Sequence, residues 1–427
     1  MSGAERPSQH GLFKALGPGL LFAATAVGVS HLVQSTRAGA GYGVALLGLI
    51  LLVNVIKYPA FRFGPQYSAA TGHSLLEGYR RQGRWALVVY GVLTVGTMFT
   101  VQAVVAVVTA GLVIATTGIT TSPIVISGVL VGLCGALLAV GRYQLLDRIT
   151  KVLVVVLTLS TLVATALVLP RVDWGGPWWL GSADFDPKTI FFIAALVGWM
   201  PSAFDVAVWQ SLWTLAKRDA TGHAPSLREA MTDFHIGYIG TACLAVCFVL
   251  LGAGIMHGSG TQFSPNAGQF AGQIIGLYSQ TLGQWARPVI GVAATAVMFS
   301  TTLAVVDGFP RALSALVDRF RGPEQIDQQE AQRGRTRTTY WVALAVMFVG
   351  SMLVLVFLLK SLKALVDIAT TLSFLTAPVL AVLNHRAVLS RDVPEDCRPR
   401  RWLVALSWVS IVSLGAFALY YLVLRYG

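Results

Sequence analysis

Ionisable side chains inside long apolar stretches are the residues of this chain best placed to do chemistry. His31, Lys57 and Asp205 are the principal examples. An ionisable group in a membrane span is costly to bury, so it marks a candidate site for a substrate, an ion or a proton. The imidazole of His31 could change its charge near neutral pH. Lys57 has two interpretations: a buried ion pair with Asp205 or Asp307 that holds two helices together, or a fixed cation that attracts an anionic substrate or replaces a coupling ion.

Two clusters of helix-breaking residues contain or adjoin these groups. Residues 24–31 read Ala-Thr-Ala-Val-Gly-Val-Ser-His, and residues 197–205 read Val-Gly-Trp-Met-Pro-Ser-Ala-Phe-Asp. Pro201 has no backbone N–H and clashes with the preceding turn, and Gly198 weakens that turn further. Either cluster alone would fit a proline kink or a glycine packing contact, whereas both together predict interrupted helices around a substrate site. The candidate substrate-binding residues are Gly28, Ser30, His31, Lys57, Trp199, Met200, Ser202 and Asp205.

The composition is typical of a membrane protein. Of the 427 residues, 55% are hydrophobic and only 12% are charged, whereas soluble domains carry about a quarter charged residues. Four cysteines are too few for a secreted disulfide scaffold. The formal net charge of +12 indicates basic loops at a membrane surface rather than a nucleic-acid partner. The sequence shows no nucleophile–base pair, metal cluster or phosphate-binding loop, so we expect neither an enzyme nor a bound cofactor.

Eleven apolar stretches reach the roughly 20 residues that a membrane-spanning helix needs. They cover residues 16–37, 43–68, 85–116, 122–141, 145–169, 189–215, 233–256, 285–313, 340–359, 362–385 and 402–424. With the N-terminus inside, 21 Lys and Arg residues lie on the cytoplasmic side and 7 outside. Because basic loops stay in the cytoplasm, we predict an all-α polytopic protein of the plasma (inner) membrane, with a cytoplasmic N-terminus and an external C-terminus.

The two interrupted helices are spans 1 and 6, and this separation gives them opposite orientations in the membrane. Such a pattern predicts an inverted repeat of five helices plus five. It divides the chain into a cytoplasmic leader (1–15), a first repeat (16–170), a second repeat (171–386) and a terminal part with span 11 (387–427). The expected partners are the lipid bilayer and a small solute or ion.

Short motifs around spans 1, 2 and 6 resemble those of the Nramp metal-transporter family. They are Gly17-Pro18-Gly19, the run Arg37-Ala38-Gly39-Ala40-Gly41-Tyr42-Gly43, Thr71-Gly72 and Met200-Pro201. The resemblance implies a LeuT-type fold and secondary-active transport. Transporters of that type often hold sodium with hydroxyls of span 8 and carbonyls of the broken span 1. Ser300, Thr301 and Thr302 are therefore candidate coupling-ion residues, unless these hydroxyls bond back to their own helix.

The chain departs from this family at the metal ligands. The family's DPGN motif falls on residues 28–31, which read Gly-Val-Ser-His, and the histidine of its MPH motif falls on Ser202. His31 and Met200 remain as uncertain metal ligands, although a single thioether binds weakly. Residues 85–141, which contain span 3, have no Asp, Glu, Lys, Arg or His, so we expect no proton route along that helix.

These observations predict a secondary-active transporter that works by alternating access. The lost carboxylate, amide and imidazole favour a small organic solute. A carboxylate is one form of it, because Lys57, His31 and free amides at half-helix N-termini would attract an anion. A divalent metal ion of the manganese, iron or magnesium class is the alternative, and proton and sodium coupling both stay open.

Overall fold

The computed structural model describes residues 17–140, 143–181, 184–260, 262–324 and 338–426, without the side chains of residues 143–154. All regular elements in these ranges are helical. The α-helices are α1 (Pro18–Ala26), α2 (Thr36–Tyr42), α3 (Leu47–Thr71), α4 (Leu75–Gln82), α5 (Arg84–Thr117), α6 (Pro123–Val140), α7 (Tyr143–Val168), α8 (Pro187–Trp199), α9 (Asp205–Thr221), α10 (Leu227–Ile255), α11 (Ala267–Leu282), α12 (Ala286–Arg321), α13 (Thr338–Leu358), α14 (Leu362–Val388) and α15 (Arg401–Tyr426).

The predicted spans match these helices to within a few residues at most ends. Among the described residues, eight helices are long and apolar enough to cross a membrane, or nine when the bent pair Pro18–Ala26 and Ser30–Tyr42 counts as one span. The count of eleven therefore stays a prediction, as do the boundaries of the two repeats. The predicted leader lies outside the described residues. Helix α11 was not predicted, because its Gly- and Gln-containing sequence has no long apolar run.

The first interruption lies where the sequence predicts it. Helix α1 ends at Ala26, and the chain continues through a π-helical segment, Ser30–Ser35, into α2. The two parts of the span are bent by 42°. Gly28 sits at the bend, and a Cβ atom there would lie 2.9 Å from Thr301 Cγ2 of α12. A glycine at this position therefore lets the unwound backbone approach α12 closely.

The second predicted interruption is also present, between α8 and α9. Helix α8 ends at Trp199, and residues 200–204 are not helical. Pro201 follows a cis peptide bond with Met200. Because Pro201 has no N–H, the carbonyl of Val197 cannot receive the usual helical hydrogen bond from four residues ahead. Asp205 then begins α9, which runs for 17 residues.

Glycine contacts hold both halves of the first span against α10. A Cβ atom on Gly237 would lie 2.2 Å from the carbonyl oxygen of Gly19 in α1, and one on Gly39 would lie 1.9 Å from that of Val249. No side chain fits at these distances, so the helix backbones touch directly, as small residues allow in membrane bundles. The Gly17-Pro18-Gly19 and Gly39 motifs thus serve packing between helices.

Candidate substrate site

A small cavity lies beside both interruptions, with a volume of about 30 Å³. Such a volume holds one or two water molecules, so in this conformation the cavity is too small for an organic solute. The lining residues come from the two interruptions and from α1, α5, α8, α9 and α12; they are Thr25, Val29, Ser30, Val101, Val105, Trp199, Ser202, Ala203, Val206, Trp209, Thr301, Val305 and Phe309. The lining is therefore made of hydroxyls, aromatic rings and aliphatic side chains, without an ionisable group.

Most polar atoms of the lining already have protein partners. The hydroxyl of Thr25 donates to Leu21 O at 2.7 Å, that of Ser30 bonds to Ala26 O, and that of Thr301 donates to Ala24 O at 2.8 Å. The indole N–H of Trp199 donates to Ser373 Oγ of α14 at 2.8 Å. These bonds fix the shape of the cavity.

Two lining residues keep an unused polar group within the described part of the chain. Trp209 Nε1 is buried without a hydrogen-bond partner, and no hydrogen bond is formed by the hydroxyl of Ser202. An indole N–H can only donate, whereas a hydroxyl can donate and accept. A buried donor without a partner, such as Trp209 Nε1, costs free energy, and Ser202 lies in the cavity lining, so these two groups are candidates to meet polar atoms of a substrate.

His31 lies in the first interruption but faces away from the cavity lining. Its Nδ1 is 2.8 Å from Ala26 O, at the end of α1, and its Nε2 is 2.8 Å from Thr241 O of α10. The side chain is completely buried. The imidazole therefore lies between backbone carbonyls of the broken span and of α10, and its Nδ1 is also 2.8 Å from the Ser30 hydroxyl. Among the described residues, no cluster of three metal-ligating side chains includes it.

Lys57 has partners different from the carboxylates considered in the sequence. Its Nζ donates to the carbonyl oxygens of Val197 at 3.0 Å, Gly198 at 3.1 Å and Ser202 at 3.0 Å. All three N–H groups of the ammonium are thus directed to the second interruption. Asp307 instead pairs with Arg311 at 2.9 Å. The ion pair with Asp205 or Asp307 is therefore not formed, and Lys57 lies outside the cavity lining.

Asp205 and Met200 flank the second interruption and are both buried. The carboxylate of Asp205 stands at the start of α9, where the positive end of a helix dipole favours negative charge. It accepts a long hydrogen bond of 3.4 Å from Thr94 of α5. In the described part of the chain no basic side chain forms an ion pair with it. Neither residue is part of the lining.

Of the three hydroxyls considered for a coupling ion, only Thr301 reaches the cavity. It bonds to Ala24 O of α1 and also to Val297 O of its own helix. Thr302 bonds back to Met298 O and meets the hydroxyl of Thr109 at 2.8 Å. Ser300 lies outside the lining. Both threonine hydroxyls thus show the self-bonding that the sequence left as an alternative.

The cavity also contains residues that sequence reasoning missed. Trp209 packs against Trp213 with their ring centroids 6.1 Å apart, and it also lines the cavity. Val101 and Val105 of α5 and Phe309 of α12 carry no chemical signal of their own. Their place depends on which face of each helix turns inward. A stretch of valines cannot reveal this.

The ligands that a metal ion would need do not converge here. Within the described ranges, no three His, Cys, Asp or Glu side chains come together as a metal site. The hydroxyls and rings of the lining make a poor set for a divalent ion, which takes several carboxylate, carbonyl or imidazole ligands. The arrangement can instead surround a small molecule with rings and offer it a few hydrogen bonds.

Comparison with known proteins now decides the family. Residues 19–424 match the model of the Nramp family, described as natural resistance-associated macrophage protein-like. The chain belongs to the Nramp family. An uncharacterized protein of Pasteurella multocida (strain Pm70) is 32% identical over 427 residues, which cover 99% of this chain and 95% of that protein. The resemblance of the sequence motifs is therefore confirmed.

Solved structures show the fold of this Nramp protein. A manganese transporter of Eremococcus coleocola, in complex with an aromatic bis-isothiourea substituted compound, has a TM-score of 0.69 at 14% identity and covers 98% of this chain and 89% of its own. MhsT in complex with L-phenylalanine has a TM-score of 0.57 at 15% identity over 100% of both chains. The protein thus has the predicted LeuT-type fold and is an integral membrane transporter.

Proposed function

We propose that this Nramp protein is a secondary-active transporter of a small organic solute. The observation that carries the proposal is the lining of the cavity at the two interruptions: aromatic rings, hydroxyls and two unused polar groups, on Ser202 and Trp209, with no ionisable side chain. Interrupted helices at mid-membrane are typical places for substrate binding. Because the cavity has a volume of only about 30 Å³, α1, α8 or their neighbours must move apart to admit such a solute, as alternating access requires.

Lys57 bears on whether that solute is a carboxylate. All three of its N–H groups already donate to backbone carbonyls. An anion could use this ammonium only if the ammonium left those carbonyls. We therefore propose that hydrogen bonding to Ser202 and Trp209, rather than an ion pair with Lys57, selects the substrate.

A divalent metal ion is the second candidate. Two findings favour it: membership of the Nramp family, and a fold similar to that of the manganese transporter of Eremococcus coleocola. The chemistry of the described site argues against it, because His31 is held by two carbonyls and Met200 lies outside the lining.

For coupling we propose a proton carried by Asp205. This carboxyl group is buried, stands near the second interruption and has one long hydrogen bond, to Thr94. An uncompensated carboxylate in a membrane protein is costly, and protonation removes that cost. Sodium at Thr301 is the alternative, although that hydroxyl already donates to the carbonyl of Ala24. The distribution of Lys and Arg supports a cytoplasmic N-terminus and an external C-terminus in the plasma (inner) membrane.

Uptake into proteoliposomes tests the proposal. Vesicles with purified protein are given radiolabelled manganese or, in parallel, labelled small amino acids, nucleobases and hydroxy acids, with and without an inward proton gradient. We expect saturable, gradient-driven uptake of one organic class and only background uptake of manganese. Saturable manganese uptake at micromolar concentration, unchanged by Ser202→Ala, would contradict it.

A further inference from the structure

The ammonium of Lys57 occupies a site that is built for a cation. Three carbonyl oxygens surround Nζ at 3.0–3.1 Å. The ring of Phe204 lies 4.7 Å from Nζ and the ring of Phe61 lies 5.7 Å away. Both rings are buried, and Lys57 itself is 0% exposed. Carbonyl oxygens and ring faces both attract positive charge, so the whole environment of Nζ favours a cation.

The sequence explains why the carbonyls of Val197 and Gly198 need a cation nearby. In an unbroken helix, the carbonyl of Val197 would accept the N–H of residue 201, but Pro201 has none. Gly198 is next in line, and its usual donor, residue 202, belongs to the non-helical segment. These carbonyls also form the negative end of the α8 dipole. A buried carbonyl without a donor costs free energy. A positive charge close to the interruption therefore stabilises these carbonyl oxygens.

We propose that the second interruption is a monovalent-cation site that a tethered ammonium, Lys57, fills permanently in place of a free ion. A sodium or potassium ion is then neither needed nor admitted between α3 and α8. The charge of Lys57 stabilises the unwound residues 200–204, whose Ser202 and Ala203 line the cavity. This inference concerns binding of a cation and holds whatever the transported substrate is.

Chemical rescue tests it. Lys57→Ala removes three methylene groups and the ammonium, which together correspond to n-propylammonium. Detergent extracts of wild type and of Lys57→Ala are heated with n-propylammonium or with uncharged 1-propanol, and the folded fraction is read by fluorescence-detected size exclusion. We expect millimolar n-propylammonium to raise the melting temperature of Lys57→Ala by several degrees, with no effect of 1-propanol and no response of wild type. Lys363→Ala, at an exposed lysine of α14, is the matched control.

Absence of a shift with n-propylammonium, or an equal shift with 1-propanol, would overturn the proposal. Two further variants give an answer even if Lys57→Ala folds poorly. Lys57→Met fills the space without charge, and Lys57→Gln keeps two N–H donors without charge. We expect the melting temperatures of both variants to lie well below that of wild type and not to change with n-propylammonium. Wild-type stability in either variant would show that the site needs no cation.

Discussion

At the scale of single residues, Trp209 and Ser202 matter because, within the residues that the structure describes, their polar groups form no hydrogen bond, whereas the neighbouring hydroxyls of Thr25 and Thr301 do. Trp209→Phe keeps an aromatic ring and removes the N–H donor. Ser202→Ala likewise removes the hydroxyl. Since one hydrogen bond contributes about 0.5–1.5 kcal/mol, each of the two variants should weaken substrate binding up to about tenfold. The measurement is the half-saturation concentration for uptake of the organic solute found in proteoliposomes. Trp213→Phe, four residues along the same helix and outside the lining, should leave that value unchanged.

His31 should prove structural. It is fully buried and lies within 2.8 Å of two carbonyl oxygens, those of Ala26 and Thr241. We expect His31→Ala to lower the free energy of unfolding by about 1–3 kcal/mol, because the buried carbonyl oxygens of Ala26 and Thr241 lose the imidazole as their partner. Thermal unfolding in detergent measures this. His257→Ala removes an exposed imidazole with one longer contact and should change little. Equal stability of both variants would speak against the bridge.

Asp205→Asn tests the coupling proton. The amide keeps the size of the carboxyl group but cannot release a proton. We expect that vesicles with this variant show no proton entry when substrate is taken up, as followed with a trapped pH-sensitive dye. Exchange of substrate across the membrane should continue. Thr94→Val, which removes only the hydroxyl partner of Asp205, should reduce proton entry less. Undiminished proton entry in Asp205→Asn would assign the coupling to another group.

Three of the eight predicted substrate-binding residues, Ser30, Trp199 and Ser202, line the cavity. Whether any of the eight binds a substrate stays a prediction. The partners of Lys57 could not be predicted, because every residue has a backbone carbonyl and the residue type does not show which carbonyl will accept a hydrogen bond. The inward faces of α5 and α12 depend on helix rotation in the bundle, which uniformly apolar sequences do not encode.

At the scale of helices, contacts between α1 and α10 should tolerate no added methyl group. Gly237 would place a Cβ atom 2.2 Å from the carbonyl oxygen of Gly19, whereas Gly240, three residues along the same helix, has nothing within 4 Å. We expect Gly237→Ala to cost about 1–3 kcal/mol through overpacking. Gly240→Ala should be neutral or stabilising by about 0.4–1 kcal/mol. Melting temperatures of the pair decide this, and equal values would contradict the close contact.

Helix interruptions were the elements that the sequence predicted most securely. Pro201 and Gly198 act locally, through a missing donor and a flexible backbone, and so they have the same effect in any surroundings. The short helices α4 and α11 were not predicted. Helix α4 has only eight residues. Glu77 forms ion pairs with Arg80 and Arg81 within the helix, and its longer contact with Arg319 of α12 joins the helix to the rest of the bundle.

At the scale of the whole molecule, both ends of the first span are held. At one end the backbone N–H groups of Gly17 and Gly19 donate to the carboxylate of Asp233 in α10. At the other, Arg37 of α2 forms a bidentate pair with Asp367 of α14, at 2.7 and 3.2 Å. The cavity lined by Thr25, Val29 and Ser30 of this span is too small for an organic solute in this conformation. Alternating access would release one contact while the other stays formed.

The most direct test of the central claim is a binding comparison on the purified protein. Melting temperatures are measured for wild type and for a Ser202→Ala, Trp209→Phe double variant with manganese, iron(II) or magnesium ions and with a panel of amino acids, nucleobases and hydroxy acids. The account predicts that an organic solute stabilises wild type, that the double variant loses this response, and that no metal ion stabilises either protein. Saturable stabilisation of both proteins by manganese, with no response to any organic solute, would contradict it.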